Sequence, residues 1–187
     1  MGDGPTVSVP FIEGERVVLR KAHAGDVEGL IDTQVDARVR RFLGGPRPES
    51  EVRAAFESVG VAELLSTAGC YVVAGKETDE MLGTVVLDRR GQDLPGHLCD
   101  GGNELELTYV FRRTAWGRGY AAEAARTLLR TAAAELPDQP VLIITQTVNL
   151  ASLRLAERLG FNVVKTFEQW GAQQALAMAQ LHEFRAV

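Results

Sequence analysis

Thirteen residues constrain this chain more than any others: Tyr109-Val-Phe-Arg-Arg-Thr-Ala-Trp-Gly-Arg-Gly-Tyr-Ala121. They read as a strand, a tight turn carrying Gly117 and Gly119, and the start of a helix rich in small residues. Such a turn bares backbone N–H groups at the positive end of a helix, a ready seat for phosphate or pyrophosphate. Glycine suits the turn because a side chain would hold a ligand away from the backbone. The local charge agrees: residues 112–130 hold five arginines and one glutamate. The plainer alternative is a simple turn followed by a solvated helix face. The spacing Gly117-x-Gly119-x-x-Ala122 also fits a dinucleotide fingerprint. That fingerprint needs an all-apolar first strand of a βαβ unit. Here the preceding strand alternates Glu104, Glu106 and Thr108 with Leu105, Leu107 and Tyr109.

The rest of the chain gives that segment its setting. Residues 1–10 read as a flexible leader and residues 11–187 as one domain. A strand is expected at 16–21, with Val17 and Leu19 on one face. A helix follows at 25–35, a short turn at 38–43, and a helix at 48–66 interrupted near Gly60. Residues 70–75 and 82–88 form a hairpin. A polar, glycine-rich loop spans 91–102, then comes the strand at 104–111. The helix at 118–135 carries Ala121, Ala125, Leu128, Leu129 and Ala132 as one apolar stripe. A buried strand is expected at 141–147. Asn149 caps a helix at 151–159 that Gly160 closes. Strands at 161–169 and 175–184 pair around Gly171. The order β-α-α-β-β-β-α-β-α-β-β describes an α/β domain: a mixed sheet of about seven strands with about four helices on its faces.

Composition closes off several classes. With 20 Lys plus Arg against 25 Asp plus Glu, the net charge of −5 does not suit a nucleic-acid binder. The longest aliphatic run, Val141 to Ile144, is far too short to span a membrane. The first ten residues lack the basic start and apolar stretch of a signal peptide. Met1-Gly2 with Thr6 fits a myristoylation pattern formally, read as chance. Two cysteines, Cys70 and Cys99, form no zinc or disulfide pattern. The expected location is the cytoplasm. His97, Cys99 and Asp100 share one loop, but they are too few for a metal site, and none is expected.

Two segments together resemble the GNAT superfamily of acyl-CoA-dependent N-acyltransferases. The pyrophosphate loop of that family is Gln/Arg-x-x-Gly-x-Gly/Ala. Here it reads Trp116-Gly-Arg-Gly119-Tyr-Ala121, with Trp116 in place of Gln or Arg. The family's second signature is present as Asn149, Ser152 and Leu159-Gly160-Phe161. The form of residues 116–124 is similar to the branch containing ribosomal-protein N-terminal acetyltransferases, as is Arg16-Val-Val-Leu-Arg20 with Asp26. The likeness covers about residues 14–185.

The resemblance implies a mostly antiparallel sheet whose central parallel strands, at 104–111 and 141–147, splay into a cleft for acetyl-CoA. The cofactor-binding positions it implies are Val110, Arg113, Arg118, Gly119, Tyr120, Ala121 and Asn149. The pyrophosphate would lie on the amides of residues 118–121. A free amide near Val110 would meet the thioester carbonyl and stabilise the oxyanion. An amine acceptor needs a base, because most amines are protonated at neutral pH. Glu106 is the candidate and Glu104 the alternate; both also fit plain solvent-facing carboxylates. Many members place a Tyr on the last short helix to protonate the departing thiolate. The matching position here is Ala156, which leaves Ser152 as candidate donor, directly or through water. Arg38, Arg40, Arg41 and Arg47 lie where the family puts acceptor-side helices, as an acid-seeking patch or a solvated face. The loop at 91–102 would border the acceptor. The implied reaction is direct acetyl transfer to an amine, on a protein N-terminus or a small molecule, and the family also allows a homodimer. The alternatives are a non-catalytic acyl-CoA sensor and an NAD(P)-binding oxidoreductase.

Overall fold

Runs of aliphatic and β-branched residues pair into one sheet in the computed structural model, which describes residues 4–185. The strands are β1 (Phe11–Glu13), β2 (Val17–Arg20), β3 (Cys70–Gly75), β4 (Met81–Arg89), β5 (Leu105–Phe111), β6 (Pro140–Gln146), β7 (Asn162–Gln169) and β8 (Ala172–Gln180). Their spatial order is β1-β2-β3-β4-β5-β6-β8-β7. Neighbours are antiparallel except β5 and β6, which run parallel. The helices are α1 (Val27–Val35), α2 (Glu49–Val59), α3 (Val61–Leu64), α4 (Tyr120–Glu135) and α5 (Leu150–Leu159).

Alternation along the strands sorts side chains into two cores. Leu105, Leu107 and Phe111 of β5 join Leu128, Leu129, Leu155 and Leu159 beneath α4 and α5. Val18, Val72, Ala74 and Met81 face the other way, against Leu30 of α1 and Val61 of α3. The alanines of α4 let that helix lie close to the sheet: Ala124, Ala125 and Ala132 are fully buried. Each fully buried leucine beside them contributes about 1.5–3 kcal/mol.

The sheet has eight described strands rather than about seven. The extra one, β1, is three residues long, too short to show alternation, and it turns into β2 through Gly14, whose amide donates to Val17. Two residues just before it are held against the sheet. Val7 is fully buried, its carbonyl accepts from the Gly69 amide at 2.9 Å, and the Val9 carbonyl accepts from Tyr71 at 2.6 Å. The myristoylation pattern begins outside the described residues. At the other end, Leu181–Phe184 is a short 3-10 turn, not strand. Leu181 and Phe184, three apart, both turn inward, which a strand would not allow.

The feature that positions the site is a gap. The parallel pairing of β5 and β6 consists of Leu105 with Val141 and Glu106 with Leu142. Beyond it β5 stays on β4 as far as Phe111, and β6 stays on β8 as far as Gln146. The two strands therefore part at the centre of the sheet.

Candidate active site

The loop after β5 leads directly into α4. Gly119 precedes α4 with φ of 83°, and Gly117 has φ of 73°. Both lie in the left-handed region that favours glycine. No side chain caps the helix, so its first amides stay open to an anion. A Cβ at Gly119 would stand 3.3 Å from Arg16 Nη2. Arg118 and Arg16 both lie over the Tyr120 ring, each 5.0 Å from its centroid. Trp116 braces the loop locally, because its indole N–H donates to the Phe111 carbonyl at 2.9 Å and folds the loop back on its strand. From Gly119 a groove of about 690 Å³ runs along α4, lined by Arg16, Arg126, Arg130 and Arg158 together with Glu13, Glu15 and Glu123. Glu123 fastens its edge by accepting from the amide of Arg16 at 2.6 Å and from its guanidinium at 2.8 Å.

The ladder decides which amides face the gap. Arg112 N–H donates to Leu82, and Arg90 N–H to Glu104, at the two ends of an unbroken β4–β5 register. Antiparallel pairing alternates, so even-numbered residues of β5 bond to β4 and odd-numbered ones turn toward β6. The Val110 amide thus belongs to the ladder. The amides of Tyr109 and Phe111 face the gap instead. The sequence leads one to expect a free amide near Val110, and the gap-facing amides are those of its two neighbours.

On the α5 side, Asn149 accepts from the Ser152 amide at 3.4 Å and donates to Thr145 Oγ1 at 3.0 Å, as a helix cap. Ser152 Oγ stands 2.7 Å from the Tyr109 hydroxyl. Burial pushes the Tyr109 phenol up, against the pull of Ser152 and the charge of Arg158. Ala156 is buried in α5, so no helix tyrosine stands at that position.

The other face of β5 presents Glu106. One of its oxygens accepts from Arg90 Nη1 at 2.6 Å. Arg90 is buried and also donates to the Pro95 carbonyl and, at 3.3 Å, to Gln169. Glu104, the alternate base, is committed elsewhere. It accepts from the Leu98 amide at 2.6 Å and meets His97 Nδ1 at 2.6 Å. His97 Nε2 faces the Gly91 carbonyl at 3.0 Å, and Lys165 reaches the His97 carbonyl. The glycine-rich loop is therefore pinned across the Glu106 face of the sheet. Among the described residues no three His, Cys, Asp or Glu gather as a metal site.

Glu106 and Ser152 consequently sit on opposite faces, with the gap between them. Arg113 pairs with Asp36 at 3.3 Å. Arg40 spends its donors on the carbonyls of Gly45 and Leu43, while Arg38, Arg41 and Arg47 are exposed. Sequence reading missed Tyr109 and Arg90 as site residues and weighed His97 only as a metal ligand. Tyr109 sat in an apolar alternation, and its polar end gave no signal.

A model of the acetyltransferase (GNAT) domain family matches residues 16–162. The chain is similar to the uncharacterised N-acetyltransferase p20 of Bacillus licheniformis, 26% identical over 149 residues, 79% of each chain. It is similar to the uncharacterised protein YkkB of Bacillus subtilis, 38% identical over 66 residues. That match spans 35% of this chain and 38% of YkkB. Among solved structures, its fold is similar to the GNAT-family acetyltransferase from Bacillus anthracis, with TM-score 0.73 and 20% identity, covering 91% of this chain and 98% of that one. It is also similar in fold to RimL, the ribosomal L7/L12 alpha-N-protein acetyltransferase solved with coenzyme A. There the TM-score is 0.68 and the identity 16%, over 92% of this chain and 98% of that one.

Proposed function

Because the chain belongs to the GNAT acetyltransferase family, we propose that it moves an acetyl group from acetyl-CoA to a primary amine, directly and within a ternary complex. The observation that carries this reading is the parting of β5 from β6, with a glycine loop that leads from β5 straight into the uncapped start of α4. Two substrates entering from opposite faces would meet there without an enzyme-bound intermediate.

The fit to acetyl-CoA rests on the residues present. The left-handed glycines and open amides around residues 118–121 suit a pyrophosphate. Arg126, Arg130 and Arg158 are the groove's partners for the anionic remainder of the nucleotide, beside the Glu13 and Glu15 that also line it. Acetyl-CoA supplies an activated acyl group as substrate. The Tyr109 and Phe111 amides are the donors for its carbonyl as negative charge develops. Glu106 takes a proton from the amine, directly or through water, and Arg90 holds its carboxylate in place. Ser152 is the donor to the departing sulfur. The acceptor we favour is a peptide or protein N-terminus, supported by the form of residues 116–124 and by the fold likeness to RimL. Two unpaired thiols suit a cytoplasmic setting.

The test is thermal melting with acetyl-CoA, CoA, NAD and NADPH, followed by thiol release across peptides and small amines. A ligand at 100 times its Kd adds about 2.7 kcal/mol, or roughly 5–11 °C for a domain of this size. Stabilisation by the CoA ligands with amine-dependent thiol release supports the reading. Binding without release over the whole panel favours an acyl-CoA sensor. A shift with nicotinamide cofactors alone overturns it.

A further inference from the structure

We propose that Tyr109 is a positioning residue: by donating its phenolic hydrogen to Ser152 Oγ, it leaves the Ser152 hydrogen free to point into the gap. This rests on the reading of Ser152 as the donor to the departing sulfur.

The two hydroxyl oxygens are 2.7 Å apart, so one hydrogen lies between them. Which oxygen donates decides which hydrogen is left over. The phenol is the more acidic hydroxyl and the better donor. Its other contact is the Ser152 carbonyl at 3.4 Å, long and weak by comparison. Ser152 itself is held from behind, since its amide is capped by Asn149. The backbone of Tyr109 borders the gap while its ring packs under α4 and α5. One residue thus offers an amide to the gap and a hydroxyl to the serine beside it. Arg158 is the charge that acts on the phenol, and burial outweighs it, so the phenol keeps its hydrogen through neutral pH.

No proton leaves Tyr109 in this arrangement. Ser152 donates its own hydrogen to the sulfur, and the Tyr109 hydrogen bond directs and polarises it. At high pH the phenol ionises and becomes an acceptor. The Ser152 hydrogen then turns toward the phenolate, and the donor to sulfur is lost.

The experiment compares wild type, Tyr109→Phe, Ser152→Ala and the double variant, with acetyl-CoA and the best amine from the panel. Melting temperature and acetyl-CoA binding serve as folding controls. Tyr109→Phe is expected to lower kcat about 3- to 10-fold, the worth of one hydrogen bond. KM for acetyl-CoA should stay unchanged. In the Ser152→Ala background the same substitution should cost nothing further. The wild-type rate should fall on the alkaline side with a limb that Tyr109→Phe lacks. An unchanged kcat in a folded Tyr109→Phe protein, or equal losses with and without Ser152, overturns the proposal and leaves the acetyltransferase reading standing. A wild type that transfers no acetyl group overturns both.

Discussion

His97 and Glu104 lock the glycine-rich loop onto the end of β5. Their side chains meet at 2.6 Å, and the Leu98 amide adds a second bond of 2.6 Å to the same carboxylate. Burial alone pushes the Glu104 carboxyl up, but these hydrogen bonds outweigh it and hold it below the ordinary carboxylate range. A depressed carboxylate contributes stability that is complete above its unfolded value, near 4.3, and fades as pH falls through its folded value. Glu104→Gln should therefore melt lower at pH 7, by about 1–3 kcal/mol in stability. The difference should shrink below about pH 4. Melting curves of both proteins from pH 3 to 8 check this; a gap independent of pH would contradict it.

Glu106 depends on Arg90 for its orientation. Glu106→Gln should lower turnover most near neutral pH with acetyl-CoA affinity intact. A constant ratio to wild type across pH would count against a base. Arg90→Met removes a buried guanidinium that also carries the Pro95 carbonyl. Losing hydrogen bonds to a charged group typically costs about 1.5–3 kcal/mol. Reduced melting temperature, together with faster amide exchange across residues 91–98, is the expected result.

Gly119→Asp puts a carboxylate at the mouth of the uncapped helix, at a backbone φ of 83°. Acetyl-CoA binding should weaken at least about tenfold, or about 1.4 kcal/mol, in a protein that still folds. Calorimetric titration decides it, and an unchanged Kd removes the loop from the cofactor site.

Gly96 has φ of 87°, and a Cβ there would meet the Phe167 ring at 2.3 Å. Gly96→Ala should lift the loop from β7. We expect a raised KM for the amine and an unchanged KM for acetyl-CoA. Steady-state kinetics with each substrate varied in turn separates the two; equal changes in both would speak against an acceptor-side loop.

Tyr71 anchors the N-terminal segment through the Val9 carbonyl, and burial pushes its phenol up to about 12. The protonated form is favoured by folding, so this contribution is present below the unfolded value near 10 and lost as pH rises toward 12. Alkaline melting should show this loss, and Tyr71→Phe should be less stable at neutral pH but flatter above pH 10.

Much of the fold was legible because its signals are local. The stripe from Ala121 to Ala132 fits one helix face, and Gly160 ends α5 in a left-handed conformation, φ 97°. Gly117 and Gly119 mark a turn whose geometry needs no distant partner. β1 and the turn at Leu181–Phe184 escaped because three or four residues hold no period.

The roles of individual polar groups were harder to read. Glu104 and Glu106 share one face of one strand and look alike in sequence. Folding gives the first to His97 and the second to Arg90. Tyr109 and Ser152 lie 43 positions apart and share one hydrogen bond. The element order, the helix start that can hold an anion, and the family signature are all written in the chain, since each depends on neighbours within a few residues. Which amides face the gap, and which hydroxyl meets Ser152, came only with the folded molecule. Those follow from strand register and from a loop closing across the sheet, and a hydrogen bond reports its partner only when both ends have been brought within about 3 Å.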